Sequence, residues 1–454
     1  MADLSAIVKA YDIRGVVGEQ LDAPTVRDIG AATARLLLAE DGPADRLVIG
    51  YDMRESSPEL AAAFAEGVTG QGLDVENIGL ASTDMLYFAS GLRNAPGAMF
   101  TASHNPAKYN GIKLCRAGAR PIGQDTGLAT VRAAVEQGVP AGPGGGAVTE
   151  SDQLRGYAQY LRELVDLTGS RPLKVVVDAG NGMGGHTVPA VLGADLPLDV
   201  VPMYFELDGS FPNHEANPLD PANLVDLQKR VVEEGADIGL AFDGDADRCF
   251  VVDERGEPVS PSAITALVAV RELAKAPGSA VIHNLITSRA VPEIVREHGG
   301  TPVRTRVGHS FIKETMAETD AVFGGEHSAH YYFRDFWRAD SGMLAALHVL
   351  AALGEQDGTL SALMTDYSRY AASGEVNSTV HDQAGRVAAI KQTYGGRDGV
   401  ELDELDGLTV FLPDGSWFNL RASNTEPLLR LNVEAADADA VAALRDEVLA
   451  IVRG

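Results

Sequence analysis

An acidic turn at residues 242–248 is the stretch of the sequence best suited to chemistry. Three aspartates, Asp243, Asp245 and Asp247, alternate with small residues, and an apolar run on each side predicts a strand before and after the turn. Crowding three carboxylates in this way is unfavourable unless a cation neutralises them. Oxygen ligands of this kind suit Mg²⁺ or Ca²⁺. Arg248 follows directly, where it can contact a phosphoryl oxygen.

Two other interpretations of this turn compete with a metal site. An EF-hand loop begins in the same way, and Glu254 falls at its twelfth position, but its sixth position should be glycine and is Arg248. The residues after Arg248 are apolar and predict a strand instead of a ligand loop. A solvated acidic turn without an ion is the second alternative. The crowding of the carboxylates favours the metal site.

A serine loop at residues 101–106 is the second motif that could do chemistry. Small and hydrogen-bonding residues surround Ser103, and Pro106 ends the segment. The Gly-x-Ser-x-Gly elbow of serine hydrolases does not occur here. A serine that carries phosphate and faces the aspartate turn is more coherent, because the phosphate would add an oxygen ligand for the metal. Lys113 follows, and it could act as a general acid or base if neighbouring cations lower its pKa.

Four further polar segments are predicted to lie in loops. Arg14 is in a predicted turn at residues 11–15, and His309 lies where a strand passes into a helix. Glu326 and Ser328 alternate after an apolar strand, so both side chains could form hydrogen bonds with the hydroxyls of a sugar. A last hairpin loop, residues 421–427, combines hydroxyls, an amide and an arginine in a pattern typical of a phosphate cradle.

A glycine-rich turn keeps an interpretation of another class open. Gly180, Gly182 and Gly185 follow a predicted strand, and Glu206 lies near the distance expected for a ribose-binding acid, as in dinucleotide-binding oxidoreductases. The helix after Gly185 would be short and contains Pro189. We therefore favour a turn whose glycines let helix and strand pack closely.

The elements that must position these loops alternate between strand and helix along most of the chain. Such alternation predicts an α/β fold with mostly parallel sheets, whose sites lie in loops at the carboxyl ends of the strands. Three α/β units in tandem are predicted, followed by a smaller α+β unit, with a glycine-rich linker at residues 141–147. The predicted domains are residues 1–145, 146–253, 254–370 and 371–454.

Composition narrows the partners of the protein. The 454 residues carry 37 basic and 64 acidic side chains, a formal net charge of −27. Such a surface repels nucleic acid and anionic membrane, so we expect neither as a partner. An anionic substrate would need a local basic pocket.

The two cysteines and the amino terminus indicate a cytoplasmic protein. Cys115 and Cys249 lie far apart in the sequence and each adjoins an apolar run, which predicts two buried thiols and no disulfide framework. No secretory signal is recognised at the amino terminus, and no apolar stretch reaches the length of a membrane span.

Four of these segments together resemble the motifs of the α-D-phosphohexomutase family, in that family's order and over nearly the whole chain. The residues that carry the resemblance are 101–106 (TASHNP), 243–248 (DGDADR), 325–330 (GEHSAH) and 421–427 (RASNTEP). The resemblance is greatest to the bacterial phosphomannomutase group. It implies three related α/β domains with mixed sheets between helices, a fourth domain resembling the TATA-binding protein, and a central cleft.

The resemblance also implies roles for the loop residues. The enzyme would interconvert mannose 1-phosphate and mannose 6-phosphate through a phosphoserine and a hexose 1,6-bisphosphate, which is also the activator. Mg²⁺ would be held by Ser103 and the three aspartates. Implied catalytic residues are Ser103, Arg14, Lys113, Arg248 and His309. Implied substrate-binding residues are Thr101, His104, Asn105, Glu326, Ser328, Arg421, Ser423, Asn424 and Thr425.

Two departures from the family pattern leave the sugar open. Some members carry a lysine near Ile286 that contacts the sugar, and here that contact is lost or supplied by Arg289. Position 327 is His, where many mannose- and glucose-acting members have Met. Phosphoglucomutase activity, alone or in addition, remains open, whereas phosphoglucosamine mutase is disfavoured because its loop typically has Gln there. A monomer or a homodimer is expected.

Overall fold

A computed structural model describes residues 4–40, 44–422 and 428–454. Within these ranges the strands form four sheets, one of seven strands and three of five. No helix in the same ranges is both long enough and apolar enough to cross a lipid bilayer.

The first sheet is a mixed sheet with helices on both faces. Its strands are β1 (Ile13–Val16), β2 (Arg46–Tyr51), β3 (Asp74–Leu80), β4 (Gly97–Phe100), β5 (Tyr109–Arg116), β6 (Arg120–Pro121) and β7 (Val148–Glu150). Their order is β1-β5-β4-β2-β3-β7, with β6 paired to β5. Strands β4, β2, β3 and β7 are parallel, and β5 is antiparallel to both of its neighbours. Its helices are α1 (Ala23–Leu38), α2 (Ser57–Gly70), α3 (Thr83–Arg93) and α4 (Ala129–Gln137).

Alternation along β2 explains why helices cover both faces. Leu47 and Ile49 are buried in a cluster with residues of α1 and α2, whereas Val48 is buried with α3 on the opposite face. Helix α1 begins where the sequence specifies, since the Asp22 side chain accepts a hydrogen bond from the backbone N–H of Thr25 and Pro24 lies in the first turn.

The second and third units repeat one topology. The second contains β8 (Leu173–Asp178), β9 (Leu198–Met203), β10 (Ile238–Phe242), β11 (Cys249–Asp253), β12 (Pro258–Val259), α5 (Leu154–Leu164), α6 (Gly184–Val191) and α7 (Val225–Glu234). The third contains β13 (Ala280–Asn284), β14 (Thr301–Thr305), β15 (Phe323–Gly325), β16 (Tyr331–Phe333), β17 (Ala339–Asp340), α8 (Pro261–Lys275), α9 (Ala290–Glu297), α10 (His309–Thr319), α11 (Gly342–Gly354) and α12 (Leu360–Met364).

In each of these sheets the strands, counted along the chain, lie in the order 2-1-3-4-5, the first three parallel and the rest antiparallel. Strands β2 to β5 of the first sheet follow the same order. The three units are therefore related to one another in topology. The loop after the third of these strands is the serine loop in the first unit, the aspartate turn in the second and residues 326–330 in the third.

The fourth unit has a different architecture. Its antiparallel sheet has the order β18-β22-β21-β20-β19, and its elements are β18 (Ala371–Thr379), β19 (Glu401–Asp403), β20 (Leu408–Phe411), β21 (Trp417–Ala422), β22 (Leu428–Ala435), α13 (Gln383–Gly395) and α14 (Ala438–Arg453). Phe418 and Leu420 of β21 are buried in one cluster with Tyr394 of α13 and Val448 of α14. The predicted α+β unit after three α/β units is confirmed.

Three details of the predicted organisation differ from the structure. Strand β7 comes after the glycine-rich segment 141–147 and pairs in parallel with β3, so the first sheet extends beyond residue 145. Strand β12 likewise extends the second sheet beyond residue 253. Arg14 lies on strand β1 and not in a turn, because residues 13–16 pair with the edge of β5. A segment with only one apolar residue before its glycine carries little periodic signal for a strand.

Candidate active site

Ser103 and the aspartate turn lie face to face. The Oγ of Ser103 donates a hydrogen bond of 2.9 Å to Oδ2 of Asp243, although the two residues are 140 positions apart. Both side chains are buried. Ser103 has a φ of +50°, in the left-handed region that few non-glycine residues adopt. The loop between β4 and β5 thus presents the serine hydroxyl directly to the turn between β10 and β11.

Glycine at position 244 is required by this close approach. A Cβ at Gly244 would lie 2.4 Å from the backbone oxygen of Ser103, a distance that real side chains do not reach. The glycine-rich turn of the second unit supports the aspartate turn from the other side, because a Cβ at Gly182 would lie 2.6 Å from the Gly244 oxygen. The backbone N–H of Met183 donates to that same oxygen at 2.9 Å.

The three aspartates form a site whose chemistry fits a divalent cation. One carboxylate oxygen from each of Asp243, Asp245 and Asp247 lies within 4.8 Å of the others, and all three residues are buried. Oδ1 of Asp245 and Oδ1 of Asp247 have no hydrogen-bond partner among the described residues. Buried carboxylate oxygens without a donor are costly unless a cation or a further donor meets them. The flanking strands β10 and β11 pair as a hairpin, so this turn is not an EF-hand.

Lys113 is a partner of the aspartates. Its Nζ donates to Asp245 Oδ2 at 2.7 Å and to Asp247 Oδ2 at 2.6 Å. Burial alone would lower the pKa of Lys113, but these two carboxylates outweigh it and raise the pKa well above its usual value. The expectation that neighbouring cations lower this pKa was wrong, because the neighbours are acids. For Asp245, burial opposes ionisation, but the Lys113 charge outweighs it and lowers the pKa.

Arg248 connects the aspartate turn to the serine loop. Its Nε donates to Asp243 Oδ2 at 2.8 Å, and one terminal nitrogen donates to His104 Nδ1 at 2.8 Å. Burial and the nearby Arg248 charge lower the pKa of His104 to about 2, so the ring is neutral. Since Arg248 can only donate, Nδ1 of His104 must be the acceptor, and the ring proton lies on Nε2.

Arg14 reaches the serine loop from β1. Its terminal nitrogens donate to Asn105 Oδ1 and to Asp12 Oδ2, each at 2.5 Å. The side chain of Thr101 contacts the loop itself, because its Oγ1 accepts a hydrogen bond of 2.9 Å from the backbone N–H of Ser103. The predicted residues of the first unit therefore lie together, with Thr101 bracing the loop.

Helix α3 braces the aspartate turn, a contact that no sequence pattern predicts. Thr83 at the amino terminus of α3 donates through Oγ1 to Asp245 Oδ2 at 2.6 Å. The backbone N–H of Thr83 donates to the backbone oxygen of Asp245 at 3.0 Å. Thr83 is one of many threonines at the start of a helix, and only the long-range contact distinguishes it.

The loop after β15 brings Glu326 and Ser328 to the same cleft. Glu326 is buried and accepts hydrogen bonds from the Asn284 side chain at 3.2 Å and from the Tyr332 hydroxyl at 2.7 Å. His330 was not singled out from the sequence, yet its Nε2 lies 3.7 Å from Asp247 Oδ1 and its Nδ1 lies 3.1 Å from Ser328 Oγ. Its position in the same loop as Glu326 was the available signal.

The last loop is only partly described. Ser423, Asn424 and Thr425 lie outside the described residues, and of His309 only the backbone, at the start of α10, is described. Arg421 lies on β21 directly opposite Arg430 of β22. Like charges directly opposite each other in a sheet repel, so this pair favours an anion nearby. Arg430 had not been predicted as a site residue.

Comparisons with known proteins agree with this arrangement. Models of the phosphoglucomutase/phosphomannomutase α/β/α domains I, II and III match residues 5–139, 155–256 and 260–370, and that of the C-terminal domain matches residues 375–451. The chain belongs to the phosphoglucomutase/phosphomannomutase family. It is a phosphohexomutase, an isomerase whose substrate is a phosphosugar.

Relatives of this phosphohexomutase match over nearly its full length. A protein of Xanthomonas campestris pv. campestris described as "Phosphohexose mutases" is 43% identical, covering 98% of this chain and 99% of the relative. A phosphomannomutase of Escherichia coli is 40% identical, covering 98% of each. A Burkholderia thailandensis structure of the same family superimposes with a TM-score of 0.89 at 33% identity, covering 99% of this chain and 97% of that one.

The glycine-rich turn has a structural role in this phosphohexomutase. Helix α6 after it has eight residues and contains Pro189. The close approach of Gly182 to Gly244 accounts for a glycine of the fingerprint without a dinucleotide. The oxidoreductase interpretation is not favoured.

The two positions that departed from the family pattern lie near the third and fourth units. His327 Nδ1 lies 3.4 Å from Ser262 Oγ, and the residue lines a cavity of about 210 Å³ together with Ile286 and Trp417. The Arg289 guanidinium donates to the Gly415 oxygen and lies 4.0 Å from the centroid of the Tyr370 ring. Arg289 is thus engaged with the fourth unit and its linker.

Proposed function

We propose that this phosphohexomutase interconverts mannose 1-phosphate and mannose 6-phosphate, with phosphorylated Ser103 as the group that gives and takes back the phosphoryl. The observation that carries the mechanism is the 2.9 Å contact between Ser103 Oγ and Asp243 at a buried triad of aspartates. The relatives named phosphomannomutase, at about 40% identity over 94–98% of the chain, support mannose as the sugar.

Asp243, Asp245, Asp247 and an oxygen of the phosphoserine would hold Mg²⁺ in this proposal. When bound, the ion supplies positive charge against the oxygens of the transferring phosphoryl. The unpartnered carboxylate oxygens of Asp245 and Asp247 support such a cation.

The chain's own residues orient the reacting groups. The phosphoserine gives its phosphoryl to the free hydroxyl of the hexose monophosphate. The new P–O bond forms as the bond to Ser103 Oγ breaks, the hexose hydroxyl loses its proton, and Ser103 Oγ gains one. Arg14 and Arg248 flank Ser103 and orient the phosphoryl oxygens. His309 and His330 are candidates for accepting the hydroxyl proton, and Lys113, charged while it is paired with the aspartates, is a candidate for donating one to Ser103 Oγ.

Remote contacts place the sugar for transfer. Glu326 and Ser328 would accept and donate hydrogen bonds at its hydroxyls, and His104 and Asn105 would line the cleft on the opposite side. Arg421, with Ser423, Asn424 and Thr425, would bind the phosphate that does not react, and Arg430 adds charge there. Binding energy from that far phosphate is then available to hold the reacting hydroxyl in line.

The resulting hexose 1,6-bisphosphate would reverse its orientation in the cleft and return its other phosphoryl to Ser103. A catalytic amount of the bisphosphate would therefore act as the activator, because it rephosphorylates enzyme that has lost its phosphoryl group. The basic groups gathered at the cleft supply the local attraction that a chain of net charge −27 otherwise lacks for an anionic sugar phosphate.

The experiment that tests the sugar is a comparison of purified enzyme on mannose, glucose and glucosamine 1-phosphates, with Mg²⁺ and catalytic glucose 1,6-bisphosphate. We expect the highest kcat/KM with mannose 1-phosphate. Substantial turnover of glucose 1-phosphate as well would establish the second candidate, a dual mutase. A preference for glucosamine 1-phosphate, or no turnover of any of the three, would contradict the proposal.

A further inference from the structure

A buried arginine, Arg54, contacts the backbone of the serine loop. The side chain of Arg54 is 1% exposed. All five of its N–H donors have an acceptor: Nε donates to Asp52 Oδ2 at 3.1 Å. The terminal nitrogens donate, at 2.7–3.0 Å, to four backbone oxygens, those of Ser103, Asn105 and Pro106 in the serine loop and that of Tyr109 at the start of β5.

The guanidinium is itself fixed in place. Asp52 Oδ1 accepts from the Arg54 backbone N–H at 3.1 Å and from Ser57 Oγ at 2.6 Å, so both of its oxygens are used. The ring of Phe211, from the second unit, lies 5.2 Å from the guanidinium carbon. A planar guanidinium held in this way can hydrogen-bond several carbonyl oxygens that would otherwise repel one another.

The serine loop needs such a clamp. Ser103 adopts φ of +50°, a conformation that persists only where the surroundings overdetermine it. Its carbonyl oxygen accepts from Arg54 at 2.8 Å, and the same oxygen faces Gly244 of the aspartate turn at close approach. The position of Ser103 Oγ is therefore set by what holds the Ser103 carbonyl.

We propose that Arg54 is a positioning residue for phosphoryl transfer: it holds the backbone of residues 103–109 so that Ser103 Oγ is aimed at the aspartate turn. The inference rests on the proposed function of Ser103. Residues 11–14 and 51–54 share the pattern Tyr-Asp-x-Arg. Their two arginines hold the same residue, since Arg14 donates to the side chain of Asn105 and Arg54 to its backbone oxygen. Arg14 lines the cleft, and Arg54 touches only the protein.

The substitution Arg54→Lys separates positioning from simple stabilisation. Lysine keeps the charge but has three donors on one atom and cannot serve four carbonyls and a carboxylate. We expect kcat to fall by about 100-fold, the size expected for an ångström-scale misplacement, with KM unchanged because the sugar and far-phosphate contacts remain. Hydrogen exchange in the peptide containing residues 101–110 should become faster, while exchange in the fourth unit does not change.

Arg162→Lys is the matched control. Arg162 also donates to two backbone oxygens, those of Ala190 and Val191, and to the Asp195 carboxylate, but it lies on α5 with none of these contacts to the serine loop. We expect kcat unchanged in this variant, with a smaller loss of thermal stability because the Arg162 side chain is 25% exposed. If Arg54 only stabilised the fold, folded Arg54→Lys would also keep its kcat.

If Arg54→Lys does not fold, Asp52→Asn tests the same idea, because it weakens the anchor of the guanidinium without removing it. We expect a smaller loss of kcat and faster exchange at residues 101–110. Either variant, folded and with wild-type kcat and exchange, overturns the proposal. Wild-type protein inactive on every hexose phosphate, with exchange still accelerated in the variants, would remove the proposed function and leave the clamp of the loop standing.

Discussion

Each of the three buried carboxylates beside Ser103 contacts a cationic side chain, and two of them share one cation. Asp243 is paired with Arg248, and Asp245 and Asp247 share Lys113. An unpaired buried charge would cost several kcal/mol, so such pairing is a condition for keeping three carboxylates in one turn. The Oδ1 atoms of Asp245 and Asp247, which have no hydrogen-bond partner among the described residues, remain available to a cation. The turn is thus suited to accept a metal ion and an incoming phosphate together.

At this scale, substitution of a triad member should act first on metal binding. For Asp245→Asn we expect Mg²⁺ affinity, measured by calorimetry, to fall by at least ~10-fold, the lower bound seen even for outer-sphere partners of metal ligands. Turnover should fall with it and recover in part at high Mg²⁺. Asp226→Asn, which changes an exposed carboxylate on α7, is the control. Unchanged Mg²⁺ affinity in Asp245→Asn would show that the turn does not hold the ion.

Residue identity alone predicted part of this site and not the rest. Ser103 and the aspartates were predicted because their types and spacing are unusual in themselves. The neighbours of Lys113 were misjudged, and Thr83, Arg54, His330 and Arg430 were not predicted. Their importance comes from partners far away in the sequence, and one arginine or threonine resembles another until those partners are known.

At the scale of elements, the site depends on hairpin connections of the same kind in three units. The serine loop joins β4 to β5, the aspartate turn joins β10 to β11, and residues 326–330 join β15 to β16. In each case a strand of the parallel set turns back into an antiparallel neighbour. Carboxyl ends of parallel strands meet at one edge of a sheet, so these loops are where such a fold places chemistry.

The contact between two of these loops can be tested at Gly244. Gly244→Ala should lower kcat strongly, by about 100-fold, because the added Cβ would come within 2.4 Å of the Ser103 oxygen and displace the hydroxyl. Gly70→Ala is a matched control, since a Cβ there meets nothing within 4 Å. Thermal unfolding should show that Gly244→Ala is folded. Wild-type turnover in Gly244→Ala would contradict the close packing of the two loops.

Strongly periodic elements were predicted well and short ones were not. The apolar run 47–51 predicts a strand, and the segments 24–40 and 59–70 predict helices; the structure has β2 at Arg46–Tyr51, α1 at Ala23–Leu38 and α2 at Ser57–Gly70. The predicted Ser56 cap is not formed, because its side chain makes no capping hydrogen bond. Strand β1, which carries Arg14, has four residues and a glycine, and β7 follows a glycine-rich segment that reads as a linker. Both are specified by pairing with distant strands, which periodicity does not report.

At the scale of the whole molecule, one buried carboxylate connects the three α/β units. Asp84 on α3 accepts hydrogen bonds from Ser82 Oγ at 2.5 Å, from the Tyr157 hydroxyl of the second unit at 2.7 Å and from Ser341 Oγ of the third at 2.6 Å. Helix α3 also carries Thr83, which contacts Asp245. The arrangement of the units and the geometry of the aspartate turn are therefore coupled through one helix.

This junction should make stability depend on pH. Burial raises the pKa of Asp84 to about 6 from its usual 3.8. Between those values the folded protein holds a proton that the unfolded chain has released, so the free energy of unfolding falls as pH rises, by at most roughly 3 kcal/mol. Asp84→Asn removes this titration. We expect its urea midpoint, relative to wild type, to move upward as pH increases from about 4 to about 7.

Asp226→Asn serves again as the comparison, because its carboxylate is exposed. Its midpoint relative to wild type should show no such upward trend between the same pH limits. A constant difference between Asp84→Asn and wild type across the range would show that Asp84 does not titrate there.

The fourth unit is connected to the third through side chains of β14 and the segment after it. Arg304 pairs with Asp403, and the backbone N–H of Val307 donates to Asp406 Oδ2 at 3.2 Å. These contacts bring the fourth unit, which carries Arg421, against the segment that leads to His309. A sugar phosphate bound between them would touch loops of every unit.

The central claim is that Ser103 carries the phosphoryl group, and locating that group tests it most directly. The enzyme is incubated with Mg²⁺ and glucose 1,6-bisphosphate, and its peptides are analysed by mass spectrometry before and after addition of mannose 1-phosphate. We predict one phosphoryl group on Ser103 that is lost on addition of the sugar phosphate, and a folded but nearly inactive Ser103→Ala variant without it. Phosphate on another residue, or full activity of Ser103→Ala, would contradict the account.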